Sequence, residues 1–221
     1  MSNKTFHILL LTIFSASGTS APAQAPYQPA QDQAEQVLAA GRSAMQARRP
    51  SQSLPCFQKY VKLKPEDPRG YFWLGMALDE LGDLKGALSA YTDSLEQGKK
   101  LGMDSEELRV NLGNTLMKLN YLKEATFDYK RALEINPKNA IAHMNLGRAL
   151  IESNEYQAAY LQFKAVSDLG VTSPELSYFK AQALKGMGKK EEARRQLQSV
   201  SVDEHADETV KQAARQLLEK D

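Results

Sequence analysis

One stretch of the sequence repeats itself with a period of 34 residues, and this period constrains the fold more than any other feature. Residues 106–139 and 140–173 carry small, aliphatic and aromatic residues in the same order. Pro137 closes the first copy, whereas Val171 stands at the equivalent position of the second. The matched pairs are Leu112 and Leu146, Gly113 and Gly147, Leu116 and Leu150, Ala125 and Ala159, and Tyr129 and Phe163. A fixed period of this length is typical of solenoids, in which each repeat packs against its neighbours.

The same register extends in both directions along the chain. The spacing from Gly75 to Gly113 is 38 residues, so four residues are inserted around 98–105. Position eight is always small, with Gly41, Gly75, Gly113, Gly147 and Ala181. Position twenty is Ala87, Ala125, Ala159 and Ala193, with Ser53 in the first copy. Small residues at these two positions predict a close crossing of two helices within each copy.

Local patterns independently indicate paired helices. Leucines four residues apart, such as Leu112 and Leu116, form an apolar stripe along each first helix. Polar residues that cap helix N-termini stand where new helices are expected, and two of them precede a proline. These predicted caps are Asp67, Asn139 and Ser173. Asp104 with Glu107 resembles a capping box before the third copy.

The order of these residues resembles the tetratricopeptide repeat, a helix–turn–helix unit. The resemblance is most specific from 68 to 173. It implies an all-α fold, a right-handed solenoid of about five antiparallel helix pairs. The implied repeats are 34–67, 68–101, 106–139, 140–173 and 174–207.

Residues 204–221 predict a capping helix that covers the last repeat. Val210, Ala213, Ala214, Leu217 and Leu218 would form its apolar face, and the other face is charged or polar. An amphipathic membrane helix is the alternative, but this face is alanine-rich and lacks Trp or Phe.

The N-terminus resembles an export signal at residues 1–23. Lys4 precedes the apolar run FHILLLTIF, and small residues follow it up to Ala23 and Ala25, either of which fits the cleavage site. The alternative is an apolar start to a folded domain. Residues 24–33, rich in Pro, Gln and Ala, are expected to be a flexible tether. The protein is therefore expected to be exported and periplasmic or secreted, with no membrane span after processing.

The composition and the residue types present indicate no catalytic, metal-binding or phosphate-binding site. Lys and Arg total 28 against 27 Asp and Glu, so nucleic acid is not an expected partner. Cys56 is the single cysteine, which excludes an internal disulfide and is expected to pack as a small buried side chain. His143 and His205 give no metal set with workable spacing, and no phosphate-binding loop is present. Neither an enzyme nor a cofactor is expected.

The resemblance implies a concave groove lined by positions 2, 5, 6, 9, 12 and 13 of each first helix. Aromatic, Met and polar side chains stand there without being needed for the Leu/Gly/Ala packing. The expected partner-binding residues are Phe72, Trp73, Met76, Asn111, Asn114, Lys118, Met144, Asn145, Arg148, Tyr178, Phe179 and Gln182. Val110, Met117 and Ile151 lie at further groove positions.

Asn111 and Asn145 share position six of successive repeats. This is similar to the asparagine ladder of O-linked N-acetylglucosamine transferases, whose amides hold an extended peptide by its backbone. The alternative is that asparagine is tolerated on an exposed helix face. The carboxylate clamp of chaperone-binding repeats is not expected, because Val110 and Glu175 stand where it needs basic residues.

The sequence thus predicts a non-enzymatic protein-interaction scaffold in the bacterial envelope, with an extended peptide or helix of a partner in its groove. An accessory subunit that positions an envelope enzyme and a self-associating module are the alternatives. The sequence specifies neither the partner nor the oligomeric state.

Overall fold

The computed structural model describes residues 29–219, with side chains from residue 33, and its regular secondary structure is entirely α-helical over that range. Its helices are α1 (Pro29–Gln46), α2 (Pro50–Leu63), α3 (Pro68–Glu80), α4 (Leu84–Lys100), α5 (Glu106–Lys118), α6 (Leu122–Ile135), α7 (Ala140–Glu152), α8 (Tyr156–Asp168), α9 (Pro174–Gly186), α10 (Lys190–Val202) and α11 (Glu208–Glu219). From α1 to α10 they form consecutive pairs, and each pair occupies one predicted repeat. The all-α solenoid prediction is confirmed.

The start of α1 corrects the predicted tether. Residues 29–33 are helical, because Pro29 fits the first position of a helix and the following Ala and Gln residues are good helix formers. The rest of that segment and the predicted export signal, residues 1–28, lie outside the described residues.

The predicted close crossing is confirmed in the four repeats with glycine at position eight, where the glycine faces an aromatic ring. A β-carbon added at Gly113 would lie 2.6 Å from Cε1 of Tyr129, a residue that is almost completely buried. Gly75 meets Tyr91 and Gly147 meets Phe163 in the same way. Glycine on the first helix therefore provides the space that an aromatic ring of the second helix fills.

The turn inside every repeat uses a left-handed residue at position fifteen. The φ angles there are 55° for Arg48, 82° for Gly82, 64° for Asn120, 61° for Asn154 and 79° for Gly188. Glycine adopts this conformation without steric cost and asparagine tolerates it, whereas a long side chain is strained.

The predicted N-caps Asp67, Asn139 and Ser173 are confirmed, since each side chain accepts a hydrogen bond from a backbone N–H in the first turn. The capping box at Asp104 is wrong. Ser105 caps α5 instead, because its Oγ accepts from the Leu108 amide. Asp104 is held by Arg109, whose Nε and Nη2 both lie 2.9 Å from its carboxylate.

The C-terminal helix starts later than predicted. Asp207 accepts hydrogen bonds from the amide and the hydroxyl of Thr209, so the helix begins at Glu208 and residues 204–207 belong to the connection after α10. Ala214 is fully buried. Around it, Val210, Leu217 and Leu218 pack against a cluster that contains Leu184, Leu197 and Val200.

Candidate functional site

A cavity of about 390 Å³ opens on the first helices of repeats two to four. It brings together the predicted residues Asn111, Asn114, Lys118, Asn145 and Arg148. The full lining is Asp79, Asn111, Asn114, Met117, Lys118, Tyr129, Asn145 and Arg148. Five of the predicted partner-binding residues thus share one cavity, whereas Asp79 and Tyr129 were not among the predicted residues.

The asparagine side chains form the floor of this cavity. Asn114 Oδ1 accepts two hydrogen bonds, at 2.7 Å from the Tyr129 hydroxyl and at 2.8 Å from Asn145 Nδ2. The side-chain amide of Asn111 makes no hydrogen bond to any residue in the described part of the chain, and neither does the carbonyl of the Asn145 side chain. The donor and acceptor of Asn111 and the acceptor of Asn145 therefore have no partner among the described residues.

Tyr129 connects the core to the groove. Its ring packs beneath Gly113 on α5, and its hydroxyl reaches Asn114. Burial raises the pKa of Tyr129, so the hydroxyl stays protonated and donates at neutral pH. The sequence assigned this residue to packing, and the available clue was a tyrosine where the next repeat has Phe163.

Asp79 lies at position twelve of the second repeat and pairs with Lys118 across the edge of the cavity. Its other oxygen accepts a hydrogen bond of 3.2 Å from the Thr115 hydroxyl. Lys118 was predicted as a partner-binding residue of the groove, and the structure pairs its ammonium group with Asp79. The sequence gives no direct sign of the pair, because the two residues are 39 positions apart.

The predicted aromatic residues lie on either side of the cavity and pack on one another. Trp73 stacks on Phe57 of repeat one with ring centroids 5.9 Å apart, and it meets Phe72 edge-on at 5.5 Å. Phe179 stacks on Phe163 at 5.8 Å and meets Tyr178 edge-on at 5.3 Å. All of the predicted aromatics are half-buried, so they contribute to packing between repeats as well as to the groove surface.

Three further predicted residues are half-buried. Met76 and Met144 pack against the central hydrophobic cluster, and Gln182 lies on α9. Met76 and Met144 are therefore partly needed for the core, contrary to the sequence prediction.

A regular contact joins neighbouring repeats along the groove: position nine of one first helix meets position six of the next. Asn114 bonds Asn145 in this way. The other two contacts of this kind place an arginine over an aromatic ring, Arg42 over Trp73 at 5.2 Å and Arg148 over Phe179 at 5.4 Å.

Outside the groove, the His143 side chain connects two neighbouring segments by hydrogen bonds. Its Nδ1 lies 2.8 Å from Gln162 Oε1 and its Nε2 lies 3.1 Å from the Pro137 carbonyl oxygen. Cys56 is half-buried rather than buried. Within the described residues, no group of three or more His, Cys, Asp or Glu side chains could hold a metal ion. None of the helices described is both long and apolar enough to cross a membrane.

Two family models match the chain, one described as Tetratricopeptide repeat over residues 38–100 and one described as TPR repeat over residues 113–152. This chain is a tetratricopeptide-repeat protein. A tetratricopeptide-repeat fold is typically a non-catalytic module that binds other proteins, so the molecule has the architecture of a protein-interaction scaffold.

Solved tetratricopeptide-repeat structures share this fold. YrrB, a TPR protein with an unusual peptide-binding site, superposes with a TM-score of 0.71 at 19% identity, over 86% of this chain and 98% of YrrB. MamA 41-end from Desulfovibrio magneticus RS-1 gives a TM-score of 0.69 at 17% identity, over 76% and 93%. At these identities the likeness shows the fold alone.

Among curated proteins, the BBSome complex member bbs-4 of Caenorhabditis elegans is 27% identical over 112 residues. The match covers 49% of this chain and 23% of that protein, so the chain spans less than a quarter of its relative's length.

Proposed function

We propose that this protein is a non-enzymatic scaffold that holds an extended segment of a partner protein in its concave groove. The unpaired side-chain amide of Asn111 and the unpaired side-chain carbonyl of Asn145 in an open cavity carry this proposal. An amide side chain donates and accepts at once, which matches the N–H and C=O groups of a peptide unit. Asn114, itself held by Tyr129, orients the Asn145 side chain, which an asparagine merely tolerated on the helix face would not need.

The groove favours an extended segment over a helix. A helix satisfies its own backbone hydrogen bonds and would present mainly side chains to the amides. An extended strand leaves its N–H and C=O groups available along its length. The half-buried rings of Trp73 and Tyr178 on either side of the cavity would contact the side chains of that segment.

We also propose that the protein acts in the bacterial envelope after export. The basic, apolar and small-residue order of residues 1–23 supports this location. N-terminal sequencing of the protein recovered from an envelope fraction should begin at Gln24 or Pro26. Recovery from the cytoplasm with Met1 intact would contradict the proposal.

The groove is tested by replacing both position-six asparagines with alanine. Each amide contributes one or two hydrogen bonds worth about 0.5–1.5 kcal/mol, so the double variant should weaken binding about ten- to a hundredfold. The partner is first captured by crosslinking in the envelope and then titrated against purified variants. Asn111→Ala is the cleanest single change, because its amide bonds no described residue.

Lys130→Ala on the exposed face of α6 is the matched control and should bind normally. Full affinity in the Asn111→Ala/Asn145→Ala variant would mean that the partner binds elsewhere. If the captured partner is an envelope hydrolase or synthase, the scaffold is an accessory subunit that positions this enzyme.

A second candidate function is self-association through the opposite face. Phe127 on α6 and Leu161 on α8 are equivalent positions, 59% and 53% exposed. Exposed large apolar side chains at the same position of the second helices of successive repeats favour an interface on this face. Sedimentation of the wild type against Phe127→Ser decides this: a dimer that the substitution dissociates would support the candidate.

A further inference from the structure

Two arginines at position nine of their repeats share one geometry. Arg42 on α1 lies over the ring of Trp73, and Arg148 on α7 lies over the ring of Phe179. Both arginines are exposed, and neither forms an ion pair with a residue of the described chain. The repetition of this contact in separate repeats points to a common role.

A guanidinium above an aromatic ring is prepared to bind a planar anion. The ring covers one face of the cation and restricts its conformations, so less entropy is lost when it binds. Its N–H groups lie in the guanidinium plane and remain available. A carboxylate matches this edge through two parallel hydrogen bonds, which are strong because both groups are charged.

The surrounding charges favour isolated carboxylates over an acidic run. Asp79, the acidic residue that lines the central cavity, is already paired with Lys118. Glu80 and Glu152 are exposed at the ends of α3 and α7, and no ion pair joins Glu152 to Arg148 one turn earlier. Glu152 would repel additional acidic residues beside Arg148.

We infer that the segment bound in the groove is an extended acidic peptide with two separated carboxylates, one for each stacked arginine. This inference rests on the proposed function, because it names the chemistry of the same occupant. The asparagine floor lies between the two arginines and would hold the intervening backbone.

The separation of the carboxylates follows from the repeats. Arg42 and Arg148 are three repeats apart, and packed helices are spaced by about 10 Å, which gives a span of about 30 Å. An extended chain covers about 3.3–3.6 Å per residue, so the two acidic residues should be about eight or nine positions apart.

The inference is tested with displayed random peptides of sixteen residues, selected on the purified full chain. Binders should be enriched in Asp or Glu at two positions about eight or nine residues apart. The strongest binder is then synthesised together with a version in which Gln or Asn replaces its acidic residues. The acidic peptide should bind the wild type at least about tenfold more tightly than its amide version, since hydrogen bonds between charged groups are the stronger ones.

The Arg42→Gln/Arg148→Gln variant should lose this discrimination. Arg194→Gln, which removes an exposed charge from α10, should keep it. Binders without acidic residues, or equal affinity for the two peptides, would overturn the inference. If such binders still require Asn111, the proposed function stands. Binders insensitive to Asn111 and to both arginines, or no binder at all, would count against both.

Discussion

At the scale of single residues, the contact between Gly113 and Tyr129 fixes the crossing of α5 and α6. Leucine at 113 would place its β-carbon 2.6 Å from Cε1 of the buried Tyr129 ring, so that the ring or the helix would have to shift. We expect Gly113→Leu to lower the free energy of unfolding by about 1–3 kcal/mol through overpacking. Urea titration followed by circular dichroism measures this change.

Ser89→Leu is the control, because it adds the same side chain to an exposed position on α4. It should change stability by less than about 0.5 kcal/mol. If the two leucine variants were equally stable, the glycine would not be the crossing point.

Arg109 is a second residue with a large expected effect. It bonds Asp104 and, through Nη1 at 2.6 Å, the Asp128 carboxylate, and its side chain and that of Asp128 are only 11% and 8% exposed. Arg109→Met would leave Asp128 buried without a counterion, which should cost about 3–5 kcal/mol. Adding Asp128→Asn to this variant should restore part of the stability, because it removes the buried charge.

The cost of Arg109→Met should depend on pH. Burial raises the pKa of Asp128, and the charge of Arg109 opposes that rise. Without the arginine the pKa rises further, so the variant regains stability as Asp128 binds a proton on acidification. Burial also acts to raise the pKa of Asp104, but hydrogen bonds from Arg109 outweigh it and lower that pKa, so the stability from Asp104 is lost only at more acidic pH.

Urea titrations at about pH 7 and about pH 5 should therefore show that the free energies of unfolding of wild type and variant differ less at the lower pH. A difference that grew on acidification would show that Asp128 is not the group left uncompensated.

At the scale of elements, the turns between paired helices differ in the conformational cost of the residue at position fifteen. Position fifteen is left-handed in each described repeat, and Arg48 is the one residue there that is neither Gly nor Asn. The strain of a long side chain in this conformation is about 1–2 kcal/mol, and the added freedom of glycine in the unfolded chain offsets part of it. Arg48→Gly should therefore raise the melting temperature, with a net gain of about 0.5–1 kcal/mol.

Asn120→Gly is the matched comparison at the equivalent turn of repeat three. Because asparagine already tolerates a φ of 64°, this change should be nearly neutral. Calorimetry of both variants checks the ranking. A loss of stability in Arg48→Gly would mean that the arginine side chain contributes more than its backbone strain costs.

Elements were predictable where their cause is local or periodic. The 34-residue period located the helix pairs, and Asn139 or Ser173 marked helix starts because a cap acts within one turn. Asp104 does not cap α5, because Arg109 in the first turn of that helix binds its carboxylate. The start of α11 depends on Asp207, which caps the helix from within the predicted helical segment 204–221.

The site was predictable to the extent that repeat positions determine it. Asn111, Asn114 and Asn145 share a cavity because positions six and nine face the same groove in every repeat. Asp79 stands at groove position twelve, so the register also places it in the groove, but its pairing with Lys118 joins different repeats. Tyr129 was missed because its contact with Asn114 joins the two layers of one repeat. No period in the sequence specifies such pairings.

At the scale of the whole molecule, the C-terminal end of the solenoid depends on α11. Leu184, Leu197 and Val200 are at most 2% exposed, and α11 packs against them. Deleting residues 208–221 would expose these side chains and remove the hydrogen bond from Lys185 Nζ to the Leu217 carbonyl. We expect a lower melting temperature and concentration-dependent association, because an uncovered repeat end is apolar.

Arg215→Ala is the control for this deletion, because it loses the exposed pair with Glu208 and one hydrogen bond to the Ser201 carbonyl oxygen but retains the apolar face of α11. It should melt near the wild-type temperature and sediment in the same way, since exposed pairs contribute little. Melting curves and sedimentation velocity at several concentrations distinguish the two variants. If the truncated chain kept the wild-type melting temperature and did not associate, the last repeat would be stable without a cap. The apolar face of α11 would then be available for a membrane surface or a partner.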